Sequence, residues 1–454
     1  MRIEGVAKQK KSMNYQDALK KLTSVNQSQL LDYYDELTVE QKKHLLTQID
    51  QIDLDTLKIQ QQLLKQPEQQ VLQELSPFPH PPVSGNPIDF ARGKEMIADG
   101  SMGCLIVAGG QGTRLRANGP KGTFPITPQE HKSLFQLFAE KTAAAGRQAK
   151  RILPLAIMTS PSNHLETVTF FQEHHFFGLD PQQVSFFSQG TLPILDEAGD
   201  LFLESKETLA TGPDGNGLAL HHFFQSGLWS AWYQQGVRAL NFIVIDNPLA
   251  DPFDAELLGY HQRCHNDITI KCVSRKHAQE KVGILAQLKQ KTVVVEYSEL
   301  PKSLADDTQP DGSLLFTYAN ISLFCFSMDF IKKMAQNPAL MPLHKAFKAV
   351  SFLDNNGQTQ QPTKPIAWKF ETFIFDLLPI AEKVSALLYP RDQCFSPLKN
   401  YDGDDSIATV RKALQNNDRR VFSEVTGLPC GAKLCEIPQG FYYPTPEFLK
   451  EWFS

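Results

Sequence analysis

Residues 108–122 read Ala-Gly-Gly-Gln-Gly-Thr-Arg-Leu-Arg-Ala-Asn-Gly-Pro-Lys-Gly, the densest chemistry in the chain. Gly109, Gly110 and Gly112 follow a short apolar run at 105–108, so a turn opens where a buried strand ends. Glycines let backbone approach a ligand closely and present N–H groups to anionic oxygens. Arg114 and Lys121 place two cations within reach of the turn. That combination suits a polyphosphate better than a neutral ligand. The bland alternative is a tight turn carrying surface cations. Two familiar phosphate loops fail on spacing. Gly-x-x-x-x-Gly-Lys-Ser/Thr is absent, and Gly110-Gln-Gly112-Thr-Arg-Leu115 lacks the third small residue of a dinucleotide fingerprint.

A second apolar run, 241–245, ends in Asp246-Asn247. A carboxylate at the carboxyl end of a strand is well placed for Mg2+, a hard ion that often takes one or two carboxylates plus phosphate oxygens. The same dipeptide could equally be a turn bonding its own backbone. Paired histidines at 174–175 and 221–222 lack the i, i+4 spacing of a zinc protease, so they are expected to pack, as are Phe176-Phe177 and Phe223-Phe224 beside them. Seven cysteines lie scattered from Cys104 to Cys435, with Cys430 and Cys435 the nearest pair and no partner pair for zinc. This usage implies a reducing, cytoplasmic setting.

The elements that must hold these residues follow from length and pattern. A chain of 454 residues suggests two or three domains with ample core. A net charge of −5 argues against a surface built for nucleic acid, and no apolar stretch approaches the roughly 20 residues that span a membrane. The opening residues lack the apolar core of a secretory signal. Residues 14–72 are rich in Leu and Gln with apolar positions at helical spacing, and Thr38-Val-Glu-Gln41 reads as a capping box. Proline crowds 76–87 and marks a boundary. Beyond it, short apolar runs alternate with helical patterns, which implies a parallel or mixed α/β sheet with ligands at the carboxyl ends of its strands. The stretch 267–325 is richer in β-type residues, and turn residues are expected to dominate from about 395. The segments are therefore 1–75 (helical), 76–90 (linker), 91–394 (central) and 395–454 (a small C-terminal domain).

The glycine turn also carries a resemblance. Ala-Gly-Gly-Gln-Gly-Thr-Arg-Leu at 108–115 with Pro-Lys-Gly at 120–122 resembles the UDP-sugar pyrophosphorylases, most closely the eukaryotic-type UDP-N-acetylglucosamine pyrophosphorylases. Further matches come in family order: Phe-Phe-Ser-Gln-Gly-Thr-Leu-Pro at 186–193, Pro-Asp-Gly-Asn-Gly at 213–217, Ile-Asp-Asn at 245–247, Val-Glu-Tyr-Ser-Glu at 295–299, Ala-Asn-Ile at 319–321, and Phe-Ser-Pro-Leu-Lys-Asn at 395–400. The resemblance implies a Rossmann-like, glycosyltransferase-A-like domain that joins UTP to a sugar 1-phosphate and releases pyrophosphate, without a covalent nucleophile. It puts Arg114 and Lys121 around the triphosphate, Gln189, Gly215 and Asn216 around uridine, Glu296 and Asn320 on the sugar, Lys369 and Lys399 near a phosphate, and Mg2+ on Asp246.

The expected partners are these small molecules, with no nucleic acid and no membrane; oligomeric state stays open. Three positions depart from the family pattern. Arg116 stands where members usually carry Gly, Leu218 where a second Gly often follows the uridine-loop Asn, and Ala319 where Gly commonly precedes the sugar-loop Asn. The sugar expected first is N-acetylglucosamine 1-phosphate. Glucose 1-phosphate or a broad sugar range is the alternative, and a non-catalytic UDP-sugar-binding regulator is the rival from another class.

Overall fold

A computed structural model describes residues 13–65, 74–431 and 436–454; Cys435 lies outside them. The chain divides into two compact units: Met1–Gln70 with Thr191–Gly215 and Leu343–Thr372, and Val71–Gly190 with Asn216–Pro342 and Phe373–Ser454.

The second unit is built on a ten-stranded mixed sheet: β1 (Leu75–Pro77), β2 (Met102–Val107), β3 (Leu155–Thr159), β4 (Val184–Ser188), β5 (Ala239–Val244), β6 (Ile268–Ser274), β7 (Gly283–Leu288), β8 (Lys291–Val295), β9 (Tyr318–Ser327) and β10 (Val384–Leu388). Its main path runs β1-β7-β9-β5-β2-β3-β4. The strands β5, β2, β3 and β4 are parallel neighbours, whereas β9 runs antiparallel to β5, β6 and β7. The apolar runs read from the sequence become these strands because both faces of the sheet are covered. Met102, Cys104 and Ile106 enter a core with Leu134 and Phe138. Leu105 and Val107 enter another with Phe223 and Trp232. After β2 the chain adds β3 on one side and later β5 on the other, so the β2/β5 boundary is the switch point where α/β sheets bind ligands.

Two local findings differ from the sequence reading. The proline-rich stretch is not a free connector. Leu75–Pro77 pairs as a strand with β7, Val83 bridges Leu388, and Pro87 opens the helix Pro87–Ala98 under an Asn86 cap. Proline is tolerated at a sheet edge and in a first helical turn, which is where it falls here. The tail beyond 395 is not dominated by turns either. It contains the 20-residue helix Ile407–Thr426, opened by Ser406 with Thr409 and closed by Gly427 at φ 70°. The β-rich stretch 267–325 joins the main sheet through β6 to β9.

In the first unit the helices Tyr15–Thr23, Val39–Gln51 and Leu54–Lys65 pack Leu22, Leu45, Ile49 and Leu57 against Leu195, Leu209 and Phe370. The Thr38–Gln41 capping box forms as read, with Gln41 N–H donating to Thr38 Oγ1 and Thr38 N–H to Gln41 Oε1. A three-stranded sheet of His344–Lys348, Ala367–Glu371 and Leu195–Asp196 completes this unit. No helix among the described residues is long and apolar enough to cross a membrane.

Candidate active site

β2 delivers the glycine turn and β5 delivers Asp246, one strand apart at the same end of the sheet, because Val107 pairs with Val244. The turn folds back on itself: Gly112 N–H donates to the Gly119 carbonyl at 2.9 Å and Lys121 N–H to the Gly110 carbonyl at 3.0 Å. This return brings Lys121 Nζ to 3.6 Å from Asp246 Oδ2, with both side chains partly buried. Cation and carboxylate, 125 residues apart in number, are thereby brought together. Arg114 is exposed in the single helical turn Thr113–Leu115.

The glycines of the turn differ in what they permit. A Cβ on Gly109 would stand 2.9 Å from Gln189 Nε2, so the turn and the Gln189 amide are packed together, while a Cβ on Gly110 would meet only open space. A Cβ on Gly122 would stand 2.2 Å from the Phe135 ring. The glycine after Lys121 therefore lets the following helix seat its aromatic; overpacking of this kind costs about 1–3 kcal/mol.

Asp246 is held from behind by a strip of chain that the sequence reading treated separately. Leu398 N–H donates to the Asp246 carbonyl at 2.7 Å, Asn247 Nδ2 to the Cys394 carbonyl at 2.8 Å, and Ser396 N–H to Asn247 Oδ1 at 3.1 Å. Lys399 follows directly, its Nζ 3.7 Å from Asp405 Oδ2.

The sugar-side candidates meet across three strands. Gly283 pairs with Asn320, and one step on from the Ile284–Val295 pair it faces Glu296. A Cβ on Gly283 would stand 2.7 Å from Val294 Cγ1, 3.2 Å from Glu296 Oε1 and 3.9 Å from Asn320 Cβ, so the glycine is needed for close packing. Glu296 and Asn320 thus flank a bare glycine. Asn320 is buried, and its Oδ1 accepts from Ser322 N–H at 3.1 Å, so its amide NH2 is the group it offers.

The uridine-loop candidates are each fixed within their own unit. Gly215 has φ 85°, and a Cβ there would stand 2.2 Å from the Thr372 carbonyl oxygen, so only glycine fits. Asn216 Oδ1 accepts from Ile374 N–H at 3.0 Å. Lys369 lies on Ala367–Glu371 in the first unit, its Cε packed over Gly212. The structure brings together Gly109 with Gln189, Lys121 with Asp246, and Glu296 with Asn320; Gly215 and Lys369 belong to the other unit.

Sequence reasoning missed several residues that hold the site. Asn163 is buried and its Nδ2 donates to the Ala108 carbonyl at 3.0 Å. His222 Nε2 accepts from Gly190 N–H at 3.1 Å, steadying the loop of Gln189, and His221 bonds the Ala335 carbonyl. Gly283 carried a signal, a lone glycine within a β-type run, which marks close approach of another group.

Two of the three departures are explained locally. Arg116 sits at φ 57° and ψ 29°, so the left-handed conformation that favours glycine is kept by an arginine, at a cost of roughly 1–2 kcal/mol. Its guanidinium lies 4.2 Å from the centroid of the Tyr401 ring, and 3.4 Å from Asp402 Oδ2. The Ala319 methyl is fully buried in the sheet core, so it does not line a ligand surface. Leu218 caps the helix Ala219–Gln225 and is packed at the edge of the second core.

A family model described as UDPGP, UTP--glucose-1-phosphate uridylyltransferase, matches residues 55–422. The chain belongs to this family. It is thereby a nucleotidyltransferase. The probable UDP-N-acetylglucosamine pyrophosphorylase of Schizosaccharomyces pombe is 34% identical over 389 residues, covering 82% of each chain. The UDP-N-acetylglucosamine pyrophosphorylase of Saccharomyces cerevisiae is 35% identical, covering 71% of this chain and 69% of its own. The crystal structure of the Trypanosoma brucei uridine diphosphate N-acetylglucosamine pyrophosphorylase superposes with a TM-score of 0.78 at 26% identity, covering 91% of this chain and 87% of that one. Family membership and the mixed sheet expected from the sequence agree.

Proposed function

We propose that this protein transfers a uridylyl group from UTP to N-acetylglucosamine 1-phosphate, forming UDP-N-acetylglucosamine and pyrophosphate. The observation that carries the reading is the pairing of Lys121 with Asp246 at the switch point of the sheet. A phosphate oxygen of the sugar phosphate bonds to the α-phosphorus of UTP while the bond from that phosphorus to the bridging oxygen breaks, and pyrophosphate leaves. No proton transfer to a protein group is needed. The work left to the chain is to gather anions and neutralise the charge on the leaving group.

Each residue has a task in that scheme. Lys121 and Arg114 meet the triphosphate, and the N–H groups of the turn at Gly109 and Gly110 face its oxygens, while Gly112 closes the turn on the Gly119 carbonyl. Gln189 and Asn216 hold uridine. With its oxygen already committed to Ile374, Asn216 offers a donor. Glu296 accepts from sugar hydroxyls. The Asn320 NH2 suits the carbonyl of an acetamido group. Lys399 meets phosphate.

Asp246 would hold Mg2+. No cluster of three or more His, Cys, Asp or Glu able to hold a metal occurs among the described residues, so phosphate oxygens and water would complete the shell, as Mg2+ prefers. The ion would supply charge neutralisation on the phosphates. The six described cysteines carry free thiols, in keeping with a cytoplasmic setting.

The test is UTP labelled at the α-phosphorus, mixed with Mg2+ and N-acetylglucosamine 1-phosphate. The label should appear in the sugar nucleotide, with unlabelled pyrophosphate released. Binding of UDP-N-acetylglucosamine without any label transfer would replace this reading with the regulator.

A further inference from the structure

The helix Leu134–Ala149 buries a charge on a face otherwise apolar. Lys141 is 6% exposed, alongside Leu134, Leu137, Phe138 and Ala145. Its Nζ donates to the carbonyls of Pro248 at 2.6 Å and Ala250 at 2.8 Å. The ring centroids of Phe138 and Tyr442 lie 5.4 and 5.9 Å away. Burial pulls this ammonium down to about 8, and the charges of Asp251 and Asp418 work against that fall. An apolar side chain would fill such a place more cheaply, because a buried ion must recover its lost hydration. What the ammonium adds is a pair of hydrogen bonds to carbonyls two and four residues beyond Asp246.

The same segment is gripped from other directions. Asn241 Nδ2, on β5, donates to the carbonyls of Asp251 at 2.8 Å and Pro252 at 2.9 Å. The Tyr443 hydroxyl bonds Asp251 Oδ1. Asp418, on the helix Ile407–Thr426, accepts from the Tyr442 hydroxyl at 2.6 Å. The charges that balance Lys141 thus come partly from the C-terminal region.

We propose that Lys141 is a positioning residue: its buried ammonium fixes residues 246–251 and so sets where the Asp246 carboxylate stands, without touching substrate. This rests on the role proposed above for Asp246. Displacing a catalytic group by about 1 Å can cost on the order of a hundredfold in rate. Fixing Asp246 therefore bears on turnover and metal affinity rather than on the affinity for UTP.

Wild type, Lys141→Met, Lys141→Gln and Asp246→Asn are compared by thermal melting, pyrophosphate release, and UTP-dependent Mn2+ binding followed by electron paramagnetic resonance. Lys141→Met is expected to fold, to lose about 10- to 100-fold in kcat with the KM for UTP within about threefold, and to bind Mn2+ more weakly by roughly tenfold. Lys141→Gln keeps a donor and should lie between Met and wild type. A folded Lys141→Met with unchanged kcat and Mn2+ affinity overturns the proposal, as does failure of both Lys141 variants to fold. Mn2+ binding that survives Asp246→Asn overturns the reading of Asp246 itself, a result separable from any behaviour of Lys141.

Discussion

The proposed phosphate end and the proposed sugar end of the site are built in different ways. At the phosphate end one short segment, 108–122, folds onto itself and presents Lys121 to Asp246 across two parallel strands. At the proposed sugar end Gly283 and Asn320 come from β7 and β9, Glu296 directly follows β8, and they meet only because the antiparallel register of these strands aligns them. The first arrangement is local and tolerates change on its outer side, as Arg116 demonstrates. The second has no such slack: a slip of one residue would turn Glu296 or Asn320 to the other face of the sheet.

Four substitutions probe this contrast. Lys121→Ala should have the largest effect, a loss of about 100- to 1,000-fold in kcat with little change in melting temperature, since it removes charge needed mainly in the transition state. Near-wild-type turnover would remove Lys121 from the site. Asp246→Asn should lower kcat by roughly a hundredfold and shift the Mg2+ titration to higher concentration; an unchanged titration would make Asp246 a turn residue. Gly283→Ala sets a methyl 2.7 Å from Val294 Cγ1 and 3.2 Å from Glu296 Oε1, so it displaces Glu296 and should raise the KM for the sugar phosphate about tenfold, leaving that for UTP alone. Equal effects on both substrates would merge the two ends into one. Arg116→Gly should be the mildest. Turnover stays within about twofold, because relief of the left-handed backbone offsets the lost contacts to Tyr401 and Asp402. A large loss of turnover would assign Arg116 to phosphate.

How much was legible in the sequence follows the same division. The glycine turn, its cations, and the strands before it could be read locally because glycine spacing and apolar runs are short-range signals. So could the Thr38–Gln41 capping box. The Asp246-Asn247 dipeptide could be read, but Asn247's partners at Cys394 and Ser396 could not, since no local pattern records a contact 147 or 149 residues away. Asn163, His222 and Lys141 escaped for that reason too. The helix Ile407–Thr426 carried its signal, with Val410, Leu414 and Val421 on one face, yet the flanking glycines and prolines obscured it. Gln27 and Gln60, polar residues of the Leu- and Gln-rich stretch, are buried. Gln27 donates to Asp200 and accepts from Leu201 N–H, and Gln60 donates to the Pro193 carbonyl. A helical period alone does not reveal such partners.

The most direct test of the account is pyrophosphate release with UTP and Mg2+, comparing N-acetylglucosamine 1-phosphate, N-acetylgalactosamine 1-phosphate and glucose 1-phosphate at equal concentration. A preference for the N-acetyl sugars of about tenfold or more in kcat/KM is expected, from the Asn320 amide. Preference for glucose 1-phosphate would contradict the sugar assignment, and no release with any of the three by folded protein would contradict catalysis itself.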